Sequence, residues 1–207
     1  MNYVVISGKS LLDGREAQTY IDWALMKLEQ GFETDAIVSL VSLMLQFFPD
    51  VDCAEDYFKT ALNEIGLPDP DVKTAVHAYL QHYCDQAILG YIEAQQAIYD
   101  LEKYCEIISF KQELNVAYHS VMDVLSFLIT DLEMICMDEP ALYNTGLTIF
   151  NCEAYLLQII WQFQTMLYLQ LPQNFIAYYM LIDNELWSMK DYRGRCFYLQ
   201  RMSNEAD

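Results

Sequence analysis

Along most of this chain the apolar residues recur at helical spacing, and Gly or Pro interrupts them where helices would stop. Ala17, Ile21, Ala24 and Leu28 share one face of a first helix, which the pattern opens at Asp13 as N-cap and closes at Gly31. Thr34 or Glu33 opens a second, with the stripe Ile37, Leu40, Val41, Met44 and Phe47, and Pro49 ends it. Asp52 followed by Glu55 resembles a capping box. It predicts a third helix carrying Phe58, Ala61, Leu62 and Ile65, stopped by Gly66. Val72, Val76, Tyr79, Leu80, Tyr83 and Ala87 mark a fourth helix, and Ala97, Ile98 and Leu101 a fifth. From Lys111 to Cys136, Leu114, Ala117, Val121, Leu125, Leu128, Leu132 and Ile135 keep close to heptad spacing. That run is short and lacks opposed charges at its edges, so a packed bundle helix explains it better than a free coiled coil. Residues 2–7 fall outside the pattern and predict one short strand or an extended arm.

The stretch from Ala154 to Ile182 contains no Asp, Glu, Lys or Arg. A membrane span needs about 20 mostly apolar residues. Here Gln158, Gln162, Gln164 and Gln170 interrupt the run, Pro172 ends it, and no basic cluster flanks it. Leu156, Ile160, Phe163 and Leu167 keep one helical face, with the Gln residues spread over the remaining surface. The pattern predicts two helices, over 147–171 and 173–187, that serve as core or as a subunit interface. The fold class is therefore all-α, a single helical bundle of seven or eight helices with at most one short N-terminal strand. The 207 residues suit one domain. The loop 137–146 is where it would subdivide. An N-terminal helical portion, residues 1–137, would then precede a C-terminal portion, residues 140–207, made of the apolar helical pair and a basic tail.

Charge narrows the partners. Thirty acidic residues face 11 basic ones, a formal net charge of -19. Nucleic acid and anionic membrane surfaces both require clustered Lys and Arg, so neither is expected as a partner. The charge suits a very soluble protein or one that meets a basic protein. Asp50, Asp52, Glu55 and Asp56 cluster where the second and third helices meet, and Asp69 and Asp71 follow. These six are the candidate partner-binding residues. Taken singly, each also suits ordinary capping and helix-dipole compensation.

Catalytic chemistry leaves little trace. Gly8-Lys9-Ser10 lacks the upstream glycine of a phosphate loop and predicts an N-terminal turn. His77 and His82 are five apart and diverge on a helix; His82 with Asp85 would need a second pair to hold a metal. Asp131 with Glu133 and Asp138 with Glu139 suit solvated helix ends better than a catalytic pair. No catalytic residue, metal ligand or cofactor is assigned. Cys53, Cys84, Cys105, Cys136, Cys152 and Cys196 form no Cys-x-x-Cys pair, and the N-terminus has no secretory pattern. Together these predict free thiols in a reducing cytoplasm.

A further pattern runs over residues 23–123. It reads Trp23-Ala24-Leu25, then Leu28 to Gly31, then Tyr57-Phe58 with Ala61 to Gly66, then Ala87-Ile88-Leu89-Gly90. This resembles a group of small helical bacterial proteins, some of them in toxin–immunity neighbourhoods. The resemblance implies a helical binding protein and carries no catalytic residue, because its motifs concern helix packing and helix ends. Three functions remain open: an acidic module that binds a basic protein, as an immunity protein does; an enzyme or ligand-binding protein with an aromatic pocket in the second half, near His119; and a homo-oligomer joined through the charge-free helices.

Overall fold

The computed structural model describes residues 1–110, 117–169, 188–190 and 196–198. The fold is all-α. Eight α-helices stand among the described residues: α1 (Tyr3–Leu12), α2 (Ala17–Glu29), α3 (Asp35–Ser42), α4 (Val51–Glu64), α5 (Val72–Ile88), α6 (Ala94–Phe110), α7 (Ala117–Cys136) and α8 (Cys152–Leu169). Two three-residue strands, Ser188–Lys190 and Cys196–Tyr198, pair antiparallel near the C-terminus. The helix expected over 173–187 lies outside the described residues.

The N-terminal segment is a helix, not the expected strand or arm. Asn2 caps it by accepting the Val4 N–H, and Ile6 and Leu12 are buried. Tyr3-Val4-Val5-Ile6 favours β-structure as a local sequence, but burial against the body of the protein overrides that modest preference. Asp13 consequently ends α1 instead of opening α2, and its carboxylate accepts the Tyr79 hydroxyl at 3.0 Å.

The chain forms two compact units, Met1–Tyr79 and Leu80–Asp207. The division falls within α5, and the loop 137–146 lies inside the second unit. In the first unit α2, α3 and α4 pack on one another. Their core joins Tyr20, Ile21, Trp23 and Ala24 of α2 to Ile37 and Leu40 of α3 and Phe58, Ala61 and Leu62 of α4. Phe58 is central, with its ring centroid 5.0 Å from that of Tyr20 and 4.8 Å from that of Trp23.

In the second unit α6 packs against both α7 and α8. The heptad positions Val121, Leu125, Leu128, Leu132 and Ile135 are all buried, as are Leu156, Ile160, Phe163 and Leu167 of α8. Gln164 departs from the expected surface glutamines. It is buried, and its amide donates to the Asp85 carboxylate and the Gln81 carbonyl, so α5 and α8 share a polar contact inside the unit. Tyr83 similarly joins α5 to α6, its hydroxyl donating to Asp100. No described helix is long and apolar enough to cross a membrane.

Candidate functional site

The acidic cluster of the first unit is divided among three tasks. Asp50 is the N-cap of α4 and accepts the Cys53 N–H at 2.7 Å. The capping role expected of Asp52 therefore belongs to Asp50, and Asp52 sits in the first turn of the helix. Asp71 opens α5 in the same manner, taking the Thr74 N–H at 3.0 Å and the Thr74 hydroxyl at 2.6 Å. These bonds to Thr74 hold the Asp71 carboxyl below its ordinary range.

Asp52 and Glu55 are ion-paired. One guanidinium nitrogen of Arg15 lies 2.6 Å from Asp52 and 2.8 Å from Glu55, and Lys59 reaches the other Glu55 oxygen at 2.7 Å. Arg15 first and Lys59 second depress the Glu55 carboxyl, so it stays ionised. Lys59 is in turn held protonated, chiefly by Glu55 and further by the charges of Asp56 and Asp69. The Arg15 and Lys59 ends of these pairs face solvent, so screening leaves them little weight in stability.

Asp56 and Asp69 complete the set. Both are exposed, and neither has an ion-pair partner among the described residues. Glu55 and Lys59 of α4 and Asp69 border one cavity, which brings the two sequence clusters, 50–56 and 69–71, to a common region of the first unit. The cavity measures about 190 Å³ and is bordered also by Tyr20, Phe58 and Val72 among others. Ligand pockets usually measure about 300–1,000 Å³, so this one suits a side chain or a few waters better than a cofactor. All of its lining residues belong to the first unit, whereas the sequence predicts an aromatic pocket in the second half. His119 is on α7, with its side chain outside the described set.

An exposed apolar group lies directly before the acidic helix. α3 ends at Ser42 and passes through a 3-10 turn, Leu43–Leu45. Met44 and Phe47, expected on the buried stripe of a longer helix, are therefore solvent-facing. Leu45 is 87% exposed, Phe47 90% and Phe48 84%. The signal for this is Pro49, which disfavours helical backbone at the residue before it and so argues against a helix running to Phe48.

Asp131 is fully buried, not at a solvated helix end; its two carboxylate oxygens accept the backbone N–H groups of Leu142, Tyr143 and Asn144 and the Asn144 side-chain amide. Glu133, Asp138 and Glu139 are exposed, as expected of that end. Asp138 takes a left-handed backbone (φ 61) that stops α7, and the Glu139 N–H bonds back to the Met134 carbonyl. Burial pulls the His77 and His82 imidazoles below their ordinary range. No group of three or more His, Cys, Asp or Glu residues among those described is arranged to hold a metal ion.

Cys53, Cys84, Cys105, Cys136 and Cys152 are free thiols. Burial pushes the Cys84 and Cys105 thiols far up, which removes the reactive thiolate at neutral pH. Thiol titration of the unfolded, unreduced chain should count six. In the folded protein the exposed Cys136 should label ahead of Cys53, Cys84, Cys105 and Cys152, and Cys84 and Cys105 only on unfolding; rapid labelling of either buried thiol would overturn this assignment.

No protein family, curated protein or solved structure matches this chain.

Proposed function

We propose that the chain is a protein-binding module whose first unit receives a basic protein, in the way an immunity protein neutralises a basic toxin. The observation that carries this is the pair of exposed carboxylates without ion-pair partners among the described residues, Asp56 and Asp69, beside carboxylates already ordered by Arg15, Lys59 and two helix caps. Ordered charge next to unspent charge steers a cationic surface into register at little entropic cost. A net charge of -19 adds long-range attraction, which salt screens beyond about 8 Å at physiological ionic strength.

A fluorescent oligolysine peptide serves as probe. Its affinity should fall with added salt, and Asp56→Asn with Asp69→Asn should weaken it several-fold at low salt. Neutralising two exposed carboxylates of the second unit, Glu133→Gln with Glu153→Gln, should have a smaller effect. Equal losses from the two double variants would mean that the chain attracts cations by bulk charge alone, and the proposal would fail.

A further inference from the structure

We infer that the loop 44–48 is the apolar anchor of that binding surface, and that its occupant is a protein segment presenting apolar side chains bordered by Lys or Arg. The inference rests on the basic-partner reading and adds where contact is made and what chemistry fills it.

Phe47 and Phe48 stand almost free of the body of the protein, and their rings meet edge to face at 4.7 Å. Aromatic side chains each bury roughly 150–250 Å² when covered. Two of them, with Leu45 and Met44 beside them, supply a large share of the roughly 800 Å² that one side of a standard interface contributes. Aromatic anchors of this kind dominate binding energy where they enter a partner's pocket. Pro49 follows directly and restricts the backbone of Phe48, which trims the conformational freedom lost there on docking.

Charge decides the occupant. The apolar group runs straight into the acidic start of α4, where Asp50 caps the helix, Asp52 is paired with Arg15, and Asp56, one turn further along, has no ion-pair partner among the described residues. An anionic bilayer would meet these carboxylates as it approached and be repelled. A second copy of this chain would bring the same carboxylates against themselves. A segment with an apolar stripe and cationic margins satisfies both features at once.

The test uses the full chain and three synthetic 18-residue amphipathic peptides. The first carries Leu on one face and Lys on the other, the second replaces every Leu with Ser, and the third replaces every Lys with Glu. The Leu/Lys peptide should bind at least tenfold more tightly than either of the others. The double variant Phe47→Ser with Phe48→Ser should lose at least tenfold for the Leu/Lys peptide while keeping the parent's circular dichroism and melting curve. Unchanged binding by that variant overturns the anchor. If Leu/Lys and Ser/Lys peptides bind alike and both respond to salt, the anchor fails and the carboxylate reading survives. If the Leu/Glu peptide binds as well as Leu/Lys, both readings fail. Concentration-dependent dimerisation abolished by the same double variant would assign the loop to a second copy, and variant-sensitive binding to phosphatidylcholine vesicles would assign it to a lipid surface; either result overturns the inference.

Discussion

Replacing Gly8 with Ala should destabilise the protein by about 3 kcal/mol, at the upper end of what overpacking usually costs. The reason is a close approach between α1 and the first turns of α5. A Cβ built at Gly8 would lie 2.0 Å from the Ala75 carbonyl oxygen and 2.6 Å from the Tyr79 Cβ. Neither atom is the far end of a flexible side chain, so relief requires moving a helix. At an open helical site the same change would help, since Ala exceeds Gly in helix propensity by about 1 kcal/mol. The expected sign is therefore set by packing, against propensity. Gly146→Ala is the control: a Cβ there meets nothing within 4 Å, and its stability should stay within about 0.5 kcal/mol of the parent. Urea denaturation of the two variants reads the difference. A Gly8→Ala protein that unfolds at the parent's midpoint would show that α1 does not dock on α5 as described.

Gly8 also shows what the sequence conceals. The Gly-Lys-Ser triplet reads as a turn because nothing local says that a second helix crosses at that residue. Elements whose signals are local are legible: the Thr34 cap, the Gly66 and Gly90 stops, and the heptad face of α7. Sequence pattern and structure diverge where a distant partner decides the outcome. Residues 2–7 look like a strand until burial is known. Asp13 resembles a helix opener, yet it closes α1 and holds Tyr79, 66 residues away. The cap of α4 lies two residues before the Asp52 that the capping-box pattern selects, because Asp50 and Asp52 are both competent acceptors and the backbone settles between them.

The acidic surface is legible in composition but not in its division of labour. Six carboxylates look equivalent in the sequence. Arg15, distant in sequence, selects Asp52 and Glu55 for pairing, and the helix starts claim Asp50 and Asp71. Asp56 and Asp69 neither cap a helix nor join an ion pair among the described residues, and the exposed aromatic loop before α4 is one that helical periodicity alone assigns to the core.

The second large effect is expected at Asp131, the buried carboxylate of the second unit. Asp131→Ala should cost about 3–4 kcal/mol. The substitution removes the acceptor of three backbone N–H groups, at 2.6 Å for Leu142, 2.9 Å for Tyr143 and 2.6 Å for Asn144. A buried donor left without a partner costs about 1–3 kcal/mol. The three costs are not fully additive here, because Leu142 is exposed and water can replace some of what its N–H loses. Asn144 has no such relief: it is buried, it donates its own amide to Asp131, and its side-chain oxygen accepts the Tyr155 hydroxyl at 2.9 Å. The chain Asp131–Asn144–Tyr155 thus ties the loop after α7 back to α7 and to the start of α8. Asp131→Asn keeps the volume but turns one acceptor into a donor that faces donors, so it should recover only a fraction of the loss. Asn144→Ala, which leaves the Asp131 carboxylate its backbone partners, should cost about 1–2 kcal/mol. Amide hydrogen exchange at residues 142–144 should accelerate in all three variants, most in Asp131→Ala. Should that variant match the parent in denaturant midpoint and in exchange at these amides, the loop is held by something other than this carboxylate.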